Sequence, residues 1–267
     1  DHPFTYKSSS KLKTGDYVNV PFGRKTITGV VWDQFEKNVN KKFIVKIVKK
    51  KLNIQPLKIQ TVEFLNWFSE YNLVPLGMAL KLHLLSGNAI EKQKKNEYQK
   101  YQIGLNKIQF FLSNEQQKAF KELITNDSSF RVHLLQGTTG SGKTIVYFKA
   151  IEKIIYQGQQ SLILLPEIGL TGEFEKKFKN FFGFEAAIWH SKITRKKKKI
   201  IWSGLASGEI KVVIGARSAL FLPFKKLGLI IVDEEHDQSY KQDEGVIYNA
   251  RDMAIVRASF ENIPLNL

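Results

Sequence analysis

The sequence predicts an α/β protein, a parallel sheet covered on both faces by helices, preceded by a small β-rich domain. Three observations carry that expectation. From Leu112 onward, short apolar runs alternate with amphipathic segments of helical period. Inside that stretch stands Gly137-Thr138-Thr139-Gly140-Ser141-Gly142-Lys143-Thr144, a glycine loop between a strand-like run and a helical one. Ahead of it, residues 1 to about 60 are rich in β-branched residues broken by glycine and charged turns.

In the front domain, Tyr17–Val20 alternates apolar and polar residues, and Pro21-Phe22-Gly23-Arg24 is a turn. Thr26–Trp32 and Phe43–Val48 are the next candidate strands, and together they suggest a small barrel or sandwich. From Lys58 the period changes: Val62, Leu65, Trp67, Phe68 and Tyr71 have helical spacing, and Leu76–Leu85 forms a second short helix. Residues 87–107 are polar, with the basic run ending at Lys95, and read as a linker or a solvated helix. The expected division is therefore a β-rich domain over 1–86, a linker over 87–110 and an α/β lobe over 111–267. In the lobe the candidate strands are Val132–Gln136, Ser161–Leu165, Ala186–Trp189, Lys211–Ile214 and Leu229–Val232, with helices over Thr144–Tyr156 and Thr171–Phe181. Ile263–Leu267 has the look of a further strand beginning.

Composition narrows the function. With 43% hydrophobic and 25% charged residues the chain is a folding sequence, and no apolar run approaches the roughly 18 residues of a membrane span. The start at Asp1 carries neither a methionine nor a signal-peptide pattern, so a fragment of a longer chain is expected. The absence of cysteine excludes disulfides and thiolate zinc sites within this span and fits a reducing cytoplasm. A formal charge of +16 favours a polyanionic partner, or else reflects a generally lysine-rich composition.

Chemistry concentrates at two places. In the glycine loop, backbone N–H groups would cradle phosphate oxygens at a helix N-terminus, as far as Thr138, Thr139 and Ser141. Lys143 would face the β- and γ-phosphates, and the Thr144 hydroxyl would ligate Mg²⁺. The second place is Leu229–His236, an apolar strand that delivers Asp233 and Glu234 at its carboxyl end. Asp233 would hold the metal, and Glu234 would orient and deprotonate the attacking water. No arginine from a second lobe is evident, so hydrolysis by this chain alone should be weak. Arg195-Lys196-Lys197-Lys198-Lys199 reads either as a solvated helix face or as a DNA contact.

Longer motifs bring in a resemblance. Leu112-Ser113-Asn114-Glu115-Gln116 is similar to the adenine-reading Q motif of the PriA family of replication-restart helicases, with Gln116 at the adenine edge. Leu165–Thr171 and Gly215–Phe221 resemble that family's motifs Ia and Ib. Asp233–Gln242, followed by Tyr248-Asn249-Ala250-Arg251-Asp252, resembles its Asp-Glu-Glu-His box and aromatic-rich loop, departing from the family at Ile247 and Asn249. Pro3–Tyr6 with Val20–Arg24 is similar to the family's domain for a DNA 3′ end, although Thr5 stands where an acid is usual. The resemblance implies a RecA-like first helicase lobe that uses ATP and Mg²⁺ for 3′-to-5′ unwinding, with zinc held only by cysteines outside this span. It implies DNA contacts at Phe4, Gly23, Thr171, Arg217, Ser218, Tyr240 and Lys241. It further implies forked and single-stranded DNA, primosome proteins and single-strand-binding protein as partners, and a cytoplasmic location. Two alternatives stay open: another superfamily 2 helicase or fork remodeller, and a fork-binding module without catalysis of its own.

Overall fold

The computed structural model describes residues 3–33, 44–84, 95–102, 110–123, 129–138, 140–166 and 172–267. Its front segment holds β1 (Tyr17–Phe22), β2 (Lys25–Val30) and β3 (Lys50–Lys51), antiparallel in the order β2-β1-β3. The described residues thus form an open three-stranded sheet, and not the expected barrel or sandwich. Gly23, at φ +56°, opens the two-residue turn between Phe22 and Lys25, the conformation such a hairpin needs at its first position. The expected strand Phe43–Val48 begins outside the described residues. Its described part makes a single bridge, Ile47 to Lys7, because neither Ile44 nor Ile47 finds a face to bury, being 96% and 61% exposed. Helices α1 (Ile59–Tyr71) and α2 (Leu76–His83) follow as the periodicity indicated.

The lobe begins with α3 (Asn114–Leu123) and β4 (Arg131–His133), then α4 (Lys143–Tyr156), β5 (Gln160–Leu164) and α5 (Gly172–Phe182). It continues through β6 (Ala187–Trp189), α6 (Arg195–Ser207), β7 (Val212–Gly215) and β8 (Leu227–Val232). Then come β9 (Lys241–Gln242), β10 (Tyr248–Asn249), α7 (Ala250–Glu261) and β11 (Pro264–Asn266). Six of these strands form one sheet, β4-β11-β8-β5-β7-β6, parallel throughout. The run at Ile263 is thus a strand, placed between the strand that leads to the glycine loop and the one that leads to Asp233.

Side-chain alternation divides the sheet into two cores. Ile163, Ile214 and Ile231 face one way, onto α4 and α5 with Phe148, Phe178 and Phe181. Leu162, Leu164, Val213, Ile230 and Val232 face the other way, under α6 and α7. On that second side the core does not stop at the lobe: Phe64, Leu65 and Phe68 of α1 and Tyr17 of β1 belong to the same cluster. The segment read as a linker also contributes. Residues 95–101 form a 3₁₀ helix whose Tyr98 and Tyr101 are buried, Tyr98 donating to Ser203 Oγ at 3.1 Å.

Polar groups lock this seam. The carbonyl of Phe221 can only accept, so His83 Nδ1–H donates to it at 2.8 Å. His83 Nε2 is then left to accept the Tyr17 hydroxyl at 2.7 Å. Trp202 Nε1 donates to the His83 carbonyl at 3.0 Å. Complete burial pulls the imidazole pKa down to about 4, so the ring is neutral in the native protein. Nearby, Lys58 at the start of α1 bonds Glu261 at 2.9 Å, and Glu261 stands 3.9 Å from the buried Arg257, whose Nη2 donates to Leu222 O. Burial lowers the Arg257 guanidinium to about 10, which still leaves it charged at neutral pH.

Candidate nucleotide and nucleic-acid site

A parallel sheet puts the loops that follow its strands along one edge. After β4 comes the glycine loop. Gly140 and Gly142 take φ +82° and +83°, which a side chain would strain, and Lys143 then opens α4. Ser141 N–H donates to Thr138 O at 3.1 Å, closing the turn. A Cβ at Gly142 would overlap the Gln116 amide, and one at Gly137 would sit 2.6 Å from Ser141 Oγ. A bare-backbone cradle ending at Lys143 and Thr144, at the start of a 14-residue helix, is the donor set that a nucleotide's phosphates fit. Thr139 lies outside the described residues.

After β8 comes the acidic pair. Asp233 N–H donates to Leu164 O at 3.1 Å, fixing the turn to the end of β5, and Glu234 takes the left-handed φ of +50°. Burial first, then Glu234, raise the Asp233 pKa, while Lys143 lowers it. The lysine of one loop and the carboxylate of the other therefore act on one another across β11. Beneath them Tyr147 is buried, its phenol pKa raised by burial and by both acids. With Thr144, Asp233 is the group here that would hold a divalent cation. Among the described residues no cluster of three or more His, Cys, Asp or Glu side chains could hold a metal by itself.

Gln116 reaches this site by a route its letters alone did not show. Ser113 N–H donates to Gln116 Oε1 at 3.0 Å, and Gln116 N–H donates to Ser113 Oγ at 3.2 Å, a reciprocal cap on α3. The other end of the same amide donates to Ser141 O at 3.0 Å. Its side chain thus couples the helix start to the glycine loop.

The residues expected to contact DNA fall into three groups. Phe4 is 70% exposed and meets Phe22 edge to face at 5.2 Å beside the Gly23 turn, so the aromatic pair and the turn are adjacent. Arg217 and Ser218 open the 3₁₀ turn after β7. Arg217 donates to Lys241 O, joining the two loops, and Ser218 Oγ accepts from Trp189 Nε1 at 3.1 Å. Lys241 Nζ is exposed and pairs with Asp243 at 3.1 Å. Tyr240 is the exception and corrects the expectation. It is 1% exposed, and its hydroxyl sits 2.6 Å from Asp233 O and 3.0 Å from Leu164 O, so its ring presents no face to a base. Motif Ia beyond Pro166, with Thr171, lies outside the described residues.

Two contacts were not foreseen. Asn249 accepts from Arg251 N–H at 3.0 Å and caps α7, and Arg251 bonds Glu235, the third letter of the acidic box, at 3.0 Å. An Asn three residues before Asp252 at a helix start was the available signal.

Comparison with known proteins settles the family. The model of the DEAD/DEAH box helicase family matches residues 113–261. The chain belongs to the DEAD/DEAH box helicase family. Residues 1–84 match a second model, the 3′ DNA-binding domain. The replication restart protein PriA of Rickettsia conorii is 44% identical over 257 residues, covering 96% of this chain and 39% of the relative. PriA of Helicobacter pylori is 38% identical over 256 residues, 95% of this chain and 38% of the relative. The chain thus spans about two fifths of the length of these relatives. Among solved structures, RecG bound to a three-way DNA junction is similar with 24% identity and a TM-score of 0.40, over 78% of this chain and 30% of that one. No helix among the described residues is long and apolar enough to cross a membrane.

Proposed function

We propose that this chain is the end-recognising and ATP-binding portion of a replication-restart helicase that unwinds DNA 3′ to 5′ at stalled forks. One observation carries the reading: a 3′ DNA-binding match over 1–84 and a helicase match over 113–261 stand on one chain, and the two parts share a core. ATP would lie on the glycine loop with Lys143 against its phosphates and Gln116 near the base. Mg²⁺ between Thr144 and Asp233 would neutralise charge on the transferred phosphate. Glu234, exposed and held in a strained turn beside Asp233, is the group to align and deprotonate water.

Strand contacts follow from the loops. Arg217 and Ser218 suit the phosphate backbone, and Lys241 lies next to them through the Arg217 bond to its carbonyl. Movement of a bound strand there reaches Asp233 through Tyr240, which bonds the Asp233 carbonyl. Phe4 and the Gly23 turn would receive a terminal base, with the hydroxyl of Thr5 in place of a carboxylate. Primosome proteins and single-strand-binding protein are the partners this role calls for.

The test is binding to two forks that differ only in a free or blocked leading-strand 3′ end, at several salt concentrations. Preference for the free end is expected. Equal binding that only fades with salt would leave a basic helicase lobe and remove end recognition.

A further inference from the structure

The basic run that opens α6 has no part in the reading above, yet the fold gives it a definite place. Because the large sheet is parallel, the loops at its carboxyl edge stand in strand order. From β8 outward they are the Asp233 turn, the segment after β5, the Arg217 turn after β7 and, at the rim, the segment from β6 into α6. Neighbouring strands are about 5 Å apart, so the segment that leads into the run leaves the sheet about one strand step beyond the Arg217 turn. Trp189 joins the two places: its Nε1 bonds Ser218, and Lys198 Nζ lies 6.0 Å from its ring centre.

Helix stability does not ask for these cations. Thr194 caps α6, its hydroxyl accepting from Lys197 N–H at 3.3 Å. A capping box carries Glu or Gln at that third position, and the helix dipole favours acids throughout the first turn. Here Arg195, Lys196 and Lys197 fill the turn, which holds no acid. Among the described residues, the ion pairs offer the run one carboxylate, Glu97, 4.0 Å from a Lys196 side chain that is 80% exposed. Lys198 bonds Ser191 O at 3.2 Å, so Arg195, Lys197 and Lys199 are the cations of the run with no ion pair among the described residues. A run that departs from the local rule in this way is where a sequence commonly serves a partner.

We propose that Arg195, Lys196, Lys197 and Lys199 form a phosphate-contact surface that receives the DNA backbone where it leaves Arg217 and Ser218. The inference rests on the reading of the chain as a DNA-binding helicase lobe and adds a site to it. Its chemistry is charge neutralisation without base reading: each ammonium that displaces a condensed counterion adds affinity that is blind to sequence and sensitive to salt.

The deciding variant is Lys197→Glu in the 267-residue chain. It completes the capping box, so the melting temperature should hold or rise. Its affinity for a forked DNA at about 0.1 M salt should fall about tenfold, with the slope of log K against log salt reduced by about one. A second variant, with Lys196, Lys197 and Lys199 each changed to Gln, should reduce the slope by about two to three. Lys118, Lys121 and Lys176 changed together to Gln, an equal loss of charge on α3 and α5, should shift it less. Equal binding by wild type and the α6 variants, or an equal loss in the α3/α5 control, overturns the proposal. A wild-type chain that binds no DNA at low salt removes the underlying reading as well.

Discussion

At the carboxyl edge of the sheet the groups proposed to act on nucleotide and DNA sit at loop ends, exposed or half-buried: Lys143, Asp233, Glu234 and Arg217. At the seam where α1 meets α7 and α2 meets the 3₁₀ turn after β7, the polar groups are inside: the side chains of Tyr17, His83, Arg257 and Glu261 are each at most 3% exposed. The edge is held by backbone shape, with glycines at positive φ and a reciprocal cap at Gln116. The seam is held by hydrogen bonds between residues far apart in the chain, Tyr17 to His83 to Phe221, and Lys58 to Glu261. Substitutions at the edge should therefore change chemistry and leave stability alone, whereas those at the seam should do the reverse.

The sharpest way to break this contrast is at Lys143. Lys143→Ala should lower ATP turnover by about 10²- to 10³-fold, the effect of losing one charge-stabilising donor. Its melting temperature should match wild type, since the side chain lies outside both cores. A large drop in melting temperature would erase the distinction between the regions.

At the seam, Glu261→Ala leaves the buried Arg257 without its nearest carboxylate and Lys58 without its partner. Thermal or denaturant unfolding should show a loss of about 3 kcal/mol. A loss below about 1 kcal/mol would mean that solvent reaches the seam.

A third test of the contrast concerns pH. His83 has a native pKa of about 4 against an ordinary 6.5, so the unfolded chain binds the proton more readily. Stability is then fully present above pH 6.5 and falls by about 1.4 kcal/mol per unit as pH drops toward 4. Melting curves of wild type and His83→Asn across that window should converge as pH falls. Parallel curves would place the titrating group elsewhere.

The same contrast explains what the sequence made legible. Each loop of the edge is one contiguous segment whose spacing reflects one job, so the glycine loop and Leu229–His236 could be read in place. The lobe strands followed for a related reason: buried parallel strands are short apolar runs, and Lys211–Ile214 differs from the observed Val212–Gly215 by one residue. Seam residues carry no such signature. His83, Tyr98 and Arg257 look like surface letters, and only the partners that tertiary structure supplies make their burial tolerable. Tyr240 misled for the same reason, since an aromatic in a polar loop reads as exposed until two carbonyls are found for its hydroxyl. The described part of Phe43–Val48, residues 44–48, departed in the other direction: β-branched residues predict a strand, but a strand needs a face to cover.

The position of β11 has a consequence for how the protein is made. Among the described residues, the strand that carries the glycine loop has one neighbour in the sheet, β11, and that neighbour is built from residues 264–266. Lys143 and Asp233 are both synthesised well before those residues leave the ribosome. At about 5–20 residues per second, the chain therefore spends about two to seven seconds with both halves of the proposed ATP site made but not yet joined by the strand between them. During assembly, the two loops are thus brought together only once β11 has been made.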